Sequence, residues 1–242
     1  MKLRLMICAT AASAALFAAD VDSVLFGMTR VTDTNSNTTV IGVPWIGEGG
    51  GAVTLSNLVC TATLHDNDVI YLYENSTWYG YQLEGGVWKP YSTVSGSTTI
   101  SEPGSAAVKE LTRGTALLVQ RSAHANPIYL CGRVDTETVN TTVSGNTPAL
   151  IANPKADFKD MSTVGSVDDE IRVPLDNGGM TVFKKLSTGW ATYAVTGTVT
   201  RTINGTERTS KLRGWIPGCT LDPGKGAWYV RGSSEGSTTI QW

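Results

Sequence analysis

The sequence predicts an all-β protein, and three observations carry that reading. Thr, Ser and Gly are abundant while charged residues are 17% of the 242-residue chain, below the typical value of about 25%, as suits strands joined by many short turns. The stretch Asp68 to Trp88, DVIYLYENSTWYGYQLEGGVW, alternates Val69, Tyr71 and Tyr73 with Ile70 and Leu72, turns at Glu74-Asn75-Ser76 and resumes with β-favouring aromatics at Trp78, which is the pattern of a hairpin. The same stretch returns about a hundred residues later as Glu170 to Trp190, EIRVPLDNGGMTVFKKLSTGW.

Laid out without gaps, the repeat sets Val69 on Ile171, Tyr71 on Val173, Tyr73 on Leu175, Asn75 on Asn177, Trp78 on Met180, Tyr81 on Phe183 and Trp88 on Trp190. The second turn, Asp176-Asn177-Gly178-Gly179, supplies residues that tolerate positive φ. The expected fold is two tandem copies of a unit of about 110 residues, forming either one pseudo-symmetric sandwich or barrel or two similar β-domains. Two copies are too few for a solenoid.

Taken in order, residues 1–19 have the form of a secretory signal peptide: Lys2 and Arg4, a short apolar run from Leu5 to Phe17, then Ala18-Ala19. The run falls short of the roughly 20 residues needed to span a bilayer. The first repeat, 20–133, opens on a polar lead-in whose Val24-Leu25-Phe26 suits an edge strand. Val40 to Trp45 is the first full strand; its counterpart is Leu150 to Lys155, Pro44 falling on Pro154. Thr54 is placed to cap one or two helical turns within Val53 to Leu64, with Asp160 to Val164 as a degenerate equivalent. Val94 to Pro103 reads as a Ser/Thr/Gly-rich loop. Gly114 to Arg121 and Gly224 to Arg231 read as one buried strand in two copies. Pro127 to Gly132 and Ser237 to Trp242 close the copies, and Arg133 to Thr147 reads as the linker into the second repeat, 134–242.

Composition bears on function mainly by exclusion. Removing Lys2 and Arg4 from 19 basic residues leaves 17 against 21 acidic ones, a net charge of −4. The reading finds no Lys/Arg cluster to release counterions from a phosphate backbone and none interleaved with the aromatics in a stacking platform, so nucleic acid is not an expected partner. Beyond Cys8, Cys60, Cys131 and Cys219 permit at most one intramolecular disulfide; Cys60 with Cys131, which share the first repeat, and separate buried thiols are the alternatives. Their spacings fit neither a zinc ribbon nor a CxxC redox site, and no metal or cofactor is expected.

Two letter patterns suggest catalysis and lack the context it needs. Gly47-Glu48-Gly49-Gly50-Gly51-Ala52 matches a dinucleotide fingerprint, yet a hairpin rather than a βαβ unit follows it. Gly232-Ser233-Ser234-Glu235-Gly236 has the letters of a nucleophile elbow but joins two strands instead of a strand and a helix. His65 and His124 are the two histidines, and neither is repeated. Asp66 and Asp68 precede the first hairpin, and Asp168, Asp169 and Glu170 the second, so both copies place carboxylates at one topological position. Asn-x-Ser/Thr sequons begin at Asn37, Asn75, Asn140 and Asn204.

The aromatics are the most suggestive chemistry. Trp88, Trp190, Trp78 and Tyr81 are the candidate ligand-binding residues, because planar rings on a sheet face can stack on sugar rings or form a partner surface; the alternative is that they fill the core.

The pieces VIGVPWIG, DVIYLYENSTWYGYQLEGGVW, LTRGTALLVQR, PALIANP and GKGAWYVR, in that order, resemble a family of secreted β-rich proteins of Verrucomicrobia-type bacteria that carries no assigned activity. The resemblance implies an exported bacterial protein and transfers no catalytic residue. The expectation is a non-enzymatic structural or adhesive protein, secreted, periplasmic or at the cell surface, whose partner is an envelope polysaccharide or another surface protein, with no membrane span after signal cleavage. A carbohydrate-binding module and a carboxylate-dependent glycoside hydrolase are the alternatives.

Overall fold

The computed structural model describes residues 26–31, 38–43, 46, 52–58, 64–74, 77–95, 98–101, 105, 109–122, 127–133, 137–155, 157–175, 179–204 and 206–242. The signal segment, Val24 and Leu25, Pro44 and Trp45, the glycines from Gly47 to Gly51, Cys60 and His124 lie outside them.

The protein is all-β. In chain order the first half contributes β1 (Phe26–Val31), β2 (Thr38–Gly42), β3 (Val53–Thr54), α1 (Leu55–Leu58), β4 (Val69–Glu74), β5 (Thr77–Glu84), β6 (Val87–Tyr91), β7 (Thr93–Ser95), β8 (Thr98–Ser101), β9 (Glu110–Leu111), β10 (Ala116–Gln120) and β11 (Ile128–Arg133). The second contributes β12 (Asn140–Ser144), β13 (Ala149–Ala152), β14 (Lys159–Asp160), β15 (Glu170–Pro174), β16 (Met180–Leu186), β17 (Gly189–Ile203), β18 (Thr206–Pro217), β19 (Thr220–Leu221), β20 (Gly226–Val230) and β21 (Ser237–Gln241).

One sheet runs β2-β10-β4-β5-β8-β7, with β6 also on β5; the other runs β13-β20-β15-β16-β17-β18. Around them lie β1 on β11, β3 on β9, β12 on β21 and β14 on β19. Each pairing from β2 through β6 thus has a partner pairing from β13 through β17.

Strand pairing shifts the first strand of the gapless alignment by one residue and keeps the second, with Trp78 opposite the same position as Met180 and Tyr81 as Phe183. Ile70 pairs with Tyr81 and Tyr73 with Trp78 in the first hairpin, whereas Ile171 pairs with Phe183 and Pro174 with Met180 in the second. Val119 lies beside Ile70 and Tyr229 beside Ile171. Ile70 therefore occupies the place of Ile171, Leu72 that of Val173 and Tyr71 that of Arg172, the second connection being one residue longer. A one-residue slip exchanges the two faces of a strand. Setting Tyr71 on Val173 matched a partly open residue with one packed on the core.

Three further expectations change. Val94 to Pro103 is not simply a loop: β7 and β8 form a short hairpin, and β8 returns parallel to β5 with Ile100 beside Trp78, its Thr and Ile residues favouring extended backbone. The segment read as a linker contains β12, held by five pairs to β21. The helical turn expected after Thr54 is present as Leu55–Leu58, directly following the end of β3, but its expected equivalent is not helical: Lys159–Asp160 is a strand leading into a turn closed by Val164 N donating to Met161 O at 2.9 Å.

Two cores result. Ile41, Ile70, Leu72, Tyr81, Leu83, Trp88, Leu117 and Leu130 belong to the first, and Ile151, Met161, Ile171, Trp190, Leu221, Tyr229, Ile240 and Trp242 to the second. Between them Val40, Ala116 and Ala152 form a small buried seam with Leu118, Leu150 and Trp228 against it. The seam is tight at backbone level. Gly42 N donates to Gly224 O at 2.8 Å; a Cβ on Gly42 would stand 2.5 Å from Ala152 Cβ, and one on Gly226 would stand 2.4 Å from Val40 and 2.9 Å from the Ile151 carbonyl oxygen. Glycine here permits the approach of one sheet to the other.

Candidate functional site

The rings singled out in the sequence divide by burial. Tyr81 at 0%, Trp88 at 4% and Trp190 at 3% exposure are core residues, because β5, β6 and β17 turn those positions inward. None can offer a ring face to a sugar, so the structure places them outside any ligand platform. Trp190 Nε1 donates to Val164 O at 2.9 Å, and burial pushes the Tyr81 phenol up to about 12, with the nearby Glu74 charge adding to the effect. Trp78 is half-buried, packed at 4.9 Å against Tyr73 and, across the seam, at 5.8 Å against Trp228; it joins the halves.

The repeated carboxylates also have a structural role. Asp68 is fully buried; it accepts from His65 N at 3.0 Å, Ser122 N at 2.6 Å and Ser122 Oγ at 2.8 Å, with Arg121 Nε 3.9 Å away. Asp169, 1% exposed, accepts from Ser166 N at 2.8 Å, Gly232 N at 2.8 Å and Tyr229 OH at 2.5 Å. Each aspartate ties the turn before its hairpin to the end of the neighbouring strand, β10 or β20. The donors differ between the halves. Gly232 N serves Asp169 as Ser122 N serves Asp68, and a Cβ on Gly232 would meet Asp168 backbone at 2.7 Å; the hydroxyl donor is Ser122 for Asp68 and, for Asp169, Tyr229, which lies beside Ile171 as Val119 lies beside Ile70. Burial first, then the bond to Asp169, raises the Tyr229 phenol well above its ordinary value. Carboxylates so enclosed and so fully engaged by backbone N–H groups cannot reach a substrate bond.

Gly232 to Gly236 runs between two strands with Glu235 N bonded to Ser233 Oγ at 3.2 Å, a serine turn rather than an elbow. Burial pushes the Cys219 thiol up to about 12, the Asp160 charge adding to it. Among the described residues no group of three or more His, Cys, Asp or Glu is placed to hold a metal ion, and no helix is long and apolar enough to cross a membrane.

What the sequence reading missed is the outer face of β16, β17 and β18. Among the described residues β17 pairs with β16 only through Gly189–Thr192 but with β18 through Ala191–Ile203, so the two strands continue beyond the sheet as a two-stranded ribbon. At about 3.3 Å per residue, the eleven residues Tyr193–Ile203 project roughly 35 Å. Where the ribbon leaves the sheet there is a groove of about 480 Å³ lined by Glu170, Met180, Val182, Lys184, Tyr193 and Trp215. Tyr193 and Trp215 are cross-strand partners with ring centroids 5.4 Å apart in an edge-to-face arrangement, and they are 54% and 48% exposed. Met180, Val182 and Val195 are exposed beside them.

The charges at the sheet end of the groove are paired: Lys184 Nζ lies 2.8 Å from Asp168 Oδ1, which raises the lysine's pKa first by their hydrogen bond, and Arg172 Nη2 lies 2.7 Å from Glu170 Oε2. Toward the tip, Lys211 and Arg213 share the face of Trp215 by strand alternation; with Arg201 and Arg208 they make a basic cluster beside aromatics, which corrects the expectation that the chain has none. The sequence did signal this element, since Asn204-Gly205 after the Val/Thr-rich run VTGTVTRTI is a strong hairpin signature; Asn204 has φ 51°.

No protein-family model, curated protein or solved structure matches the chain.

Proposed function

We propose that the protein is an exported, non-enzymatic structural or adhesive β-protein of a bacterial envelope or surface, that its two halves are copies of one unit, and that its contact surface is the outer face of β16–β18. The observation that carries this reading is the Tyr193–Trp215 pair, two large rings half-open to solvent at the root of a projecting ribbon. Aromatic side chains of this kind bury much apolar area on contact and carry a polar handle for orientation. Export is supported by the form of residues 1–19 and by the family resemblance in the β-strand motifs. The matching order of strand pairings supports duplication, and the ribbon is where the halves differ most: the short β7–β8 hairpin follows β6, while a 15-residue and a 12-residue strand stand at the corresponding point of the second half.

A carbohydrate-binding role is the second reading, favoured by the same pair and resting on Tyr193 and Trp215 instead of Trp88, Trp190 and Tyr81. A carboxylate hydrolase has less support, since Asp68 and Asp169 are both enclosed.

The test is co-sedimentation of the chain from Asp20 onward with washed bacterial envelope fragments. Wild type is expected in the pellet and a Tyr193→Ser/Trp215→Ser variant with unchanged thermal midpoint in the supernatant. Equal sedimentation of both proteins sinks the assignment of this face.

A further inference from the structure

We propose that the occupant of the β16–β18 face is an acidic polysaccharide, a chain whose sugar rings stack on Tyr193 and Trp215 while its carboxylates meet Lys211 and Arg213. This rests on the reading of that face as the contact surface and names the chemistry it takes.

Charge is the first reason. Between Tyr193 and Trp215 the ribbon carries Arg201, Arg208, Lys211 and Arg213 against the single acid Glu207, in a chain whose net charge is −2. Arg201 and Arg208 are directly opposite one another across the two strands, on the face turned away from Trp215, while Glu207 shares the face of Lys211 and Arg213; like charges placed opposite one another destabilise a strand pair. All four cations are exposed, and among the described residues none of them stands in an ion pair, in contrast to Lys184 and Arg172 at the root. The ribbon therefore holds an uncompensated positive field at some cost to its own pairing, the condition for attracting a polyanion.

The arrangement of groups is the second reason. Lys211 and Arg213 follow Trp215 on one face at steps of two residues, about 7 Å, so a chain leaving the aromatic pair passes the cations in turn. Thr198 lies opposite Lys211 and Thr200 opposite Thr209, the latter two with hydroxyls 2.9 Å apart. A hydroxyl-rich surface of this kind can donate to and accept from sugar hydroxyls. The groove of about 480 Å³, with Tyr193 and Trp215 in its wall, is within the range that holds small ligands and opens at the ribbon root, from which Arg213 and Lys211 follow along the strand. An acidic peptide would satisfy the cations but has no particular need of the ring pair or the threonines.

The experiment titrates the chain from Asp20 onward with polygalacturonate, neutral dextran and poly-glutamate at low and high salt, for wild type, Trp215→Ala and Lys211→Glu/Arg213→Glu; thermal midpoints verify that both variants fold. The expected result is binding to polygalacturonate, weakened about tenfold by Trp215→Ala, lost together with its salt dependence in the double variant, and at least tenfold weaker for dextran. Poly-glutamate binding as tightly as polygalacturonate, with Trp215→Ala without effect, overturns the proposal in favour of a protein or general polyanion partner. Equal binding of dextran overturns the charge argument. Failure of polygalacturonate while wild type still sediments with envelopes, and the Tyr193/Trp215 variant does not, rejects the acidic polysaccharide and leaves the contact face standing; failure of both assays rejects both.

Discussion

Replacing Tyr229 by Phe tests whether the buried aspartate of the second half is held as the geometry indicates. Tyr229 is fully buried and its hydroxyl donates to Asp169 Oδ2 at 2.5 Å. The ring stays, so no cavity larger than one oxygen opens, and the cost is that of a hydrogen bond to a charged group, about 1.5–3 kcal/mol. Asp169 keeps Ser166 N and Gly232 N, which should prevent outright unfolding. For a chain of this size about 2–4 °C accompanies each kcal/mol, so the thermal midpoint should fall by roughly 3–12 °C. Urea unfolding followed by tryptophan fluorescence is a direct assay, because the Trp190 ring lies 6.2 Å from that of Tyr229. Asp169→Asn in the same cycle should show a coupling with Tyr229→Phe, since the two side chains share one bond. A Tyr229→Phe protein within about 0.5 kcal/mol of wild type, or a coupling indistinguishable from zero, would refute the assignment of the Tyr229 hydroxyl as a stabilising donor to Asp169.

Three other outcomes are expected. Trp190→Ala should cost about 3–5 kcal/mol in urea unfolding, whereas Trp215→Ala should change stability by about 0.5 kcal/mol or less; the reverse order would mean that core and surface have been exchanged. Gly226→Ala puts a Cβ against the Ile151 carbonyl oxygen as well as the Val40 side chain, so overpacking of about 1–3 kcal/mol is expected with a second unfolding transition as the halves uncouple; a single unshifted transition counts against the seam. Alkaline stability should fall in a defined window: the folded pKa values of Cys219 and Tyr81 are both raised, to about 12, from 9.0 and 10.0, so the folded state holds those protons more tightly and the stabilisation, full below the ordinary values, is lost as pH rises toward 12. Urea midpoints measured at several alkaline pH values check this, and Cys219→Ala should move the onset of the loss upward.

Much of the fold was legible because hydrophobic runs and turn residues act locally. Ala116-Leu117-Leu118-Val119 and Gly226-Ala227-Trp228-Tyr229 are apolar without interruption, as strands covered on both faces must be, and the structure gives the reason: an own-half core on one side and the seam on the other. Register was not legible, because a gapless comparison has no means of detecting one extra residue in a turn. The candidate rings failed for a related reason. Trp88 and Trp190 coincide in the two halves because both fill a core position, so their recurrence marks packing. Asp68 and Asp169 recur likewise for their place in the turn before the hairpin. The ribbon escaped notice although Asn204-Gly205 marks it, since its residues have no partner in the first half and a search for repetition passes over what is present once.

That asymmetry is also the best guide to function. Where both halves carry a residue in the same place, the structure finds a fold-maintaining cause: Ile70 and Ile171 in the two cores, Asp68 and Asp169 across the strand ends. A frame stabilised twice over in this way tolerates an addition at one point, and the second half extends there. The extension exposes two aromatic rings, sets like charges opposite one another and leaves the twelve-residue strand β18 paired on one edge only, with β17, among the described residues. Each of these is unfavourable for an isolated sheet, although the edge charges do discourage indiscriminate strand addition. Together they make sense as the cost of a surface kept open and positively charged, and a variant that replaces the ribbon beyond Tyr193 and Trp215 by a two-residue turn should be more stable than the natural chain while losing all binding to envelope fragments. If that shortened protein bound as well as the original, the ribbon would have no part in recognition.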